Sequence, residues 1–431
     1  MAPSDEFYEL LKAAETGDAE AQFNLSVMYR DGEGAPRDQA EVVKWIRKAA
    51  EQGYVSAECA MGELYANGIG VEQDYAEAVK WYRKAADKGY QRGEYLLANS
   101  YMMGEGVKPD PAEAGKWLRK SADGYPLGEY TLGLMYLAGE GVQRDDAEGV
   151  KWVRKAAEHG EKRAEYQLGR IYHVGELVPR NHAEAVKWYR KSAEQGYVEG
   201  ETLLGVMYYE GWGIQQDYAE GVKWFRKAAA QGDPNAWYYL GLAHETGQGA
   251  AMDMAEALRW YRKSAEQTGL MSGNAQTALG DMYFTGSGVA RDDAEAGKWY
   301  RKAADQGDAS AQFWLGNLYM GLFGDERDEG EALKWFRKAA DQGHANAEFM
   351  TGQSFHKGRG TPPDYTEALK WYRRAAEHGS IPAEYEIGTM YRDGLGVDPD
   401  DTEAANRFRK AAEHGSTDAG TALEQMENRL R

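Results

Sequence analysis

The sequence predicts an all-α solenoid, a stack of helix–turn–helix units in which each unit packs chiefly on its neighbours. Three observations carry this. A tryptophan recurs as Trp45, Trp81, Trp117, Trp152, Trp188, Trp224, Trp260, Trp299, Trp335 and Trp371, with Phe408 in the eleventh place, and most of these stand 36 residues apart. Self-similarity at a period of roughly 20–50 residues marks units that cannot bury an apolar face alone. Each unit holds two stretches with apolar residues at a 3.6-residue period. Glycines and an acidic residue recur between those stretches, where helices stop and start.

The repeat also settles what length means. A chain of 431 residues would ordinarily suggest about three domains, but a solenoid has no natural size limit because each unit contacts mainly its neighbours. Hydrophobic residues make up 42%, with 29 Tyr and 13 Trp, so material for a core is present. The formal net charge of −19 fits acidic side chains coating exposed helices, and would also draw a basic partner. It argues against general nucleic-acid binding, which needs basic surface. Cys59 is the only cysteine, which excludes an intramolecular disulfide and a cysteine-clustered metal site. The start, M-A-P-S-D-E-F-Y-E-L, is not a signal peptide as written, and no stretch approaches the ~18–20 apolar residues of a membrane helix. A reducing compartment, the cytoplasm, is expected; a periplasmic or secreted protein stripped of a leader would read the same.

Taken in order, residues 1–20 hold half a unit, a helix near Glu6–Glu15 that reads as an N-terminal cap. Eleven full units fill 21–416, beginning at Ala21, Ala57, Gly93, Gly128, Ala164, Gly200, Ala236, Ala275, Ala311, Ala347 and Ala383. A polar helix over 417–431 closes the array. In each unit the first helix, A, has small or apolar residues at its first, third, fifth, eighth and ninth positions. Its sixth is glycine in nine units, such as Gly62, Gly169 and Gly316, and Ser26 or Ala98 in the others. A mid-helix glycine costs about 1 kcal/mol against alanine, so its recurrence predicts close approach of a neighbouring backbone. Helix A ends at a G-x-G loop such as Gly68-Ile69-Gly70. Asp74 followed by Glu77 then reads as a capping-box variant, the aspartate accepting from an orphan amide and the glutamate reaching back. Helix B carries the tryptophan and an R-K-A-A run and ends at glycines such as Gly53, Gly89 and Gly160.

The string G-x-G-V-x-x-D-Y-A-E-A-x-K-W-Y-R-K-A-A-x-x-G, followed by A-x-x-x-L-G-x-M-Y, resembles the Sel-1-like repeat, a relative of the tetratricopeptide repeat. The likeness runs from Ala21 to about Gly415. It implies helix pairs stacked in a right-handed superhelix whose A helices line a concave face. It also implies a role in binding other proteins, as adaptor, scaffold or regulator. Related secreted repeat proteins carry cysteine pairs in each unit and have been linked with penicillin binding; the lone Cys59 departs from that pattern, so that activity is not carried over.

Each conspicuous motif has a structural reading. The tryptophans read as core, each burying ~150–250 Å². The G-x-G pieces lie between helices, with no following G-K-[ST], so they are not phosphate loops. His159, His344, His378 and His414 fall at inter-unit turns; His182 takes a tyrosine slot; His173, His244 and His356 lie near A-helix ends. None shows paired metal-ligand spacing, and no metal, cofactor or catalytic residue is expected. The R-K pairs, such as Arg83-Lys84 flanked by Glu77 and Asp87, read as a solvated, salt-bridged outer face.

The positions the repeat leaves free are the informative ones. The fourth and seventh residues of helix A share a face opposite the recurrent glycine, and they change from unit to unit. Leu203, Val206, Tyr239 and Leu242 are apolar there, with Trp314 and Met350 further along. They are the candidate partner-binding residues, since contiguous apolar surface marks interaction sites and aromatics dominate hot spots. Packing between neighbouring units would produce the same residues. Three irregularities, Gln267–Asn274, the loop holding Leu322 and Phe323, and G-E-L-V-P-R-N after Gly175, fit binding edges or simple drift. The expected function is a scaffold or adaptor that takes a protein or peptide partner in the groove. The alternatives are a dedicated inhibitor or immunity-type regulator sequestering one toxin or enzyme and, more distantly, a hydrolase. No membrane insertion is expected, and the oligomeric state is open.

Overall fold

Caps set the helix boundaries. Asp74 Oδ1 accepts from the amides of Ala76 (2.9 Å) and Glu77 (3.0 Å), and Asp38, Asp253 and Asp400 repeat the arrangement. Only half of the expected capping box forms: Glu77 turns to Lys80 instead of its own N-cap amide. At the other end, a glycine in a left-handed conformation follows every A helix but Ala309–Asn317, whose cap is Leu318; at Gly68 φ is 65°, which alanine would adopt only with strain.

The computed structural model describes residues 5–34, 36–267, 269–322 and 327–430. Among them are twenty-four α-helices, a short π-helical turn at Leu318–Leu322, and no strand. The chain is an all-α solenoid in which A helices, such as Val55–Asn67 and Gln91–Met103, alternate with B helices, such as Tyr75–Asp87 and Pro111–Ser121. It divides into two compact units, Met1–Gln216 and Asp217–Arg431. The A helices begin two residues before the sequence register suggests, at Val55 rather than Ala57. Phe323, in the loop expected to depart from the repeat, lies outside the described residues.

The recurrent glycine answers to a ring, not mainly to a backbone. A Cβ on Gly62 would stand 2.5 Å from Tyr82, on Gly169 2.6 Å from Tyr189, on Gly352 2.7 Å from Tyr372 and on Gly388 2.7 Å from Phe408. In each case the ring belongs to the residue directly after the template tryptophan; in the last unit Arg407 stands 36 residues after Trp371, so Phe408 takes the ring's place and not the tryptophan's, which corrects its expected position. Those rings are the deepest large side chains of the fold, and Tyr189, Tyr300, Phe336 and Tyr372 have no exposed surface. Gly133, which faces Val153, does meet backbone closely, at 2.9 Å from the Val153 nitrogen. The tryptophans are core as well, though seven are buried and Trp81, Trp152 and Trp260 are half-buried.

Unit-to-unit spacing depends on the second glycine of the loop. A Cβ on Gly106 or Gly360 would lie 2.1 Å from the carbonyl oxygen of Tyr75 or Glu329, at or next to the start of the preceding B helix. That approach admits no side chain.

The R-K pairs are more committed than the sequence suggests. The lysine lies over the tryptophan one turn back, at 3.7 Å for Lys84 on Trp81, Lys227 on Trp224 and Lys338 on Trp335, a cation–π contact. The arginine reaches a tyrosine hydroxyl on the next A helix: Arg154 to Tyr172 at 2.7 Å, Arg190 to Tyr208 at 2.8 Å, Arg373 to Tyr391 at 2.6 Å. Surface salt bridges come from a different lysine, as Lys116–Glu113 and Lys151–Glu148, both 2.7 Å.

Candidate functional site

Helix A exposes only what packing leaves over. Its first, second, fifth and sixth positions are mostly buried against helix B and the next unit, whereas the fourth is half-buried in ten of the eleven units and the seventh in eight, Val206 and Asn317 being buried and Arg170 exposed. This partly exposed line is the candidate interaction face.

In the unit Met1–Gln216, Leu203 is half-buried on Val198–Glu210, and Val206 is buried at 6% exposure. Val206 therefore offers a partner almost nothing, which corrects its expected exposure; its side chain has been drawn into the packing.

In the unit Asp217–Arg431, Tyr239 and Leu242 stand half-buried on Pro234–Thr246, Trp314 on Ala309–Asn317 and Met350 on Ala345–Lys357. The helix Ser272–Thr285 between the first two supplies Ala278 and Asp281, so the six residues do not form one continuous apolar run. Aromatic packing holds the rings. Tyr239 stacks on Phe225 (4.8 Å between centroids, 8° between planes) and meets Tyr238 edge-on at 5.3 Å. Trp314 stacks on Tyr300 at 6.0 Å and touches Phe284 at 5.7 Å and Phe313 at 5.5 Å. Such rings are fixed in orientation while one face or edge stays accessible, which limits the entropy lost when a partner binds.

The polar groups on this face are tied to buried tyrosines. Tyr300 donates its hydroxyl to Asp281 at 2.7 Å, and Tyr261 donates to Glu245 at 2.5 Å. Burial pushes the Asp281 carboxyl above the usual range, with the Tyr300 hydrogen bond opposing and Glu245 and Asp308 adding to the rise. Burial, followed by the Asp281 charge, drives the Tyr300 phenol far up as well. His356 lies 3.3 Å from the Tyr372 hydroxyl and 3.8 Å from Glu386.

Two sets of residues escaped the sequence reading. One is a line of aromatics at the N-cap and third position of helix A: Phe23 meets Tyr54 at 5.5 Å, Tyr95 meets Tyr125 at 5.5 Å, and Tyr166 meets Tyr197 at 5.4 Å. The recurrent Gly-Tyr at the inter-unit turn was its signal. The other is a buried polar residue at the second position of helix A. Glu129 and Glu348 have no exposed surface and are held by His159 (2.8 Å) with Lys155 (3.0 Å), and by His378 (2.7 Å) with Arg374 (3.1 Å). These two histidines are partners of buried carboxylates rather than plain turn residues. Among the described residues no three His, Cys, Asp or Glu side chains converge as a metal site, and no helix is long and apolar enough to cross a membrane.

The family model described as Sel1 repeat matches residues 19–54, 55–90, 91–125, 126–161, 162–197, 198–233, 234–268, 273–308, 309–344, 345–380 and 381–416. A protective antigen with an SLR fold present in uropathogenic Escherichia coli strains has a solved structure that is 40% identical, with a TM-score of 0.85 over 99% of this chain and 91% of that one. A Sel1 repeat protein from Oxalobacter formigenes is 32% identical, with a TM-score of 0.52 over 57% of this chain and 96% of that one. No curated protein matches.

Proposed function

Because this chain belongs to the Sel1 repeat family, whose members are generally protein-interaction scaffolds, we propose that it is a non-enzymatic scaffold binding a protein or peptide on the A-helix face. One observation carries the reading. The fourth positions of helix A, and most of the seventh, stay half-exposed and chemically varied, while the basic pairs of helix B are drawn into contacts with Trp and Tyr. The proposed contacts in the unit Asp217–Arg431 are Tyr239, Leu242, Trp314 and Met350, with Leu203 holding the same register in the other unit. Fixed aromatics flanked by acceptors suit a partner that presents apolar side chains and N–H donors.

The test is affinity purification from the source organism with the wild type and the double variant Tyr239→Ala/Leu242→Ser. Loss of captured proteins with a melting midpoint within a few degrees of wild type supports the reading. Unaltered capture sinks it. Stoichiometry separates the two forms of the reading: one tight partner indicates a dedicated inhibitor, several weaker ones a scaffold.

A further inference from the structure

A polar side chain at the end of a B helix repeatedly crosses to the buried residue at the second position of an A helix, 30 residues back. Lys88 Nζ donates to Glu58 at 2.8 Å and to the Gly53 carbonyl at 2.9 Å. Gln195 Nε2 donates to Glu165 at 2.8 Å and to the Gly160 carbonyl at 3.2 Å. His159 on Glu129, Gln342 on Gln312 and His378 on Glu348 repeat the rung.

One rung is missing its donor. The B helix Pro111–Ser121 continues K-S-A-D-G-Y, where the preceding unit reads K-A-A-D-K-G-Y, so the counterpart of Lys88 is absent. Asp123 runs directly into Gly124, and Trp117 to Trp152 spans 35 residues instead of 36. The acceptor is retained. Glu94 is only 5% exposed, and its carboxylate makes no hydrogen bond or ion pair among the described residues. Burial raises its proton affinity, with Lys120 opposing. Beside it opens a cavity of about 560 Å³ lined by Gly89, Gln91, Glu94, Lys120, Asp123 and Lys155, among others. Gly89 and Glu94 correspond to Gly53 and Glu58, the pair that holds Lys88 one unit earlier.

We propose that this gap binds a primary ammonium group, the lysine side chain of a protein partner, in the place that Lys88 Nζ occupies in the adjacent junction. A charged donor fits because Glu94 is shielded by protein on most sides and meets solvent only at the cavity, where an added charge-assisted hydrogen bond is stronger than on open surface. Lys120 does not fill the gap, since its ammonium lies 3.9 Å over the Trp117 ring, as Lys84 lies over Trp81 beside a filled rung. Lys155 is engaged with Glu129 at 3.0 Å. The site shares no residue with the Tyr239–Trp314 face, and it rests on the reading of the chain as a binder of proteins.

The experiment needs no partner. Nα-acetyl-lysine methylamide, its Nε-acetylated form and Nα-acetyl-glutamine methylamide are each titrated at millimolar concentration while the melting midpoint is followed. For a probe held about tenfold above half-saturation, linkage predicts a rise of roughly 2–5 °C with the free lysine probe alone. Glu94→Gln removes the charge at constant shape, and insertion of a lysine between Asp123 and Gly124 restores the rung; both should abolish the rise. No rise in the wild type, an equal rise with the acetylated or glutamine probe, or a rise that survives Glu94→Gln overturns the proposal. If the insertion fails to fold, Glu94→Gln decides. Failure here leaves the capture experiment on Tyr239 and Leu242 untouched, so the two readings fall separately.

Discussion

Substituting Gly316 by alanine should destabilise a helix that alanine ordinarily favours. In an unhindered helix interior the change gains about 1 kcal/mol. At Gly316, a Cβ would stand 2.6 Å from both Cδ1 and Cε1 of Phe336 and 3.1 Å from its Cγ. Phe336 has no exposed surface, so the ring can yield only by disturbing its own neighbours. Overpacking of this kind costs about 1–3 kcal/mol, and contacts this short belong in the upper half of that range. The net expectation is a loss of about 1–2 kcal/mol, or a melting midpoint lowered by about 2–8 °C for a cooperative body of this size. Gly420 supplies the opposite sign: it lies in the helix Thr417–Leu430, and a Cβ there meets nothing within 4 Å. Gly420→Ala should leave the midpoint unchanged or raise it. Phe336→Leu combined with Gly316→Ala should cost less than the sum of the two single changes, because the smaller side chain makes room for the methyl group. A Gly316→Ala midpoint that rises like that of Gly420→Ala would refute the account of the recurrent glycine.

Two further outcomes follow from burial. The folded-state carboxyl of Asp281 is raised, mainly by desolvation, so its contribution is full below the ordinary aspartate pKa and is lost as pH climbs through the raised value. Asp281→Asn keeps an acceptor for Tyr300 and removes the titration; its midpoint relative to wild type should improve from about pH 4 toward neutrality, and a difference flat across pH would contradict this. Cys59 is buried and its thiol is pushed up to about 12, first by desolvation and then by Glu63. A disulfide reagent at neutral pH should find no reactive thiol in the folded protein and one after unfolding; rapid labelling of the native protein would show that this part of the core opens.

Helices, caps and repeat count were legible because they rest on local chemistry. An aspartate two or three residues ahead of the amides it caps, or a glycine at a helix end, acts over a few residues and reads the same in every unit. The site was less legible. Val206 and Leu203 look alike on a helical wheel, yet one is buried and the other half-buried, since the neighbouring residues that cover them come from another helix. The arginines were misassigned for the same reason. Glu77 and Asp87 are their neighbours in sequence, but the tyrosine that receives Arg154 lies 18 residues away on the next A helix.

The sequence by itself determined that this protein is a stack of eleven helix pairs, because a period in apolar residues, caps and glycines is repeated evidence for one local structure. Tertiary structure alone decided which side chain fills each glycine's notch, which basic residues are engaged, and which acceptor is left without its donor. The deletion beside Gly124 was visible as a 35-residue spacing. Its consequence, a Glu94 without the donor that its counterparts have, required knowing that residues 30 apart meet across a junction.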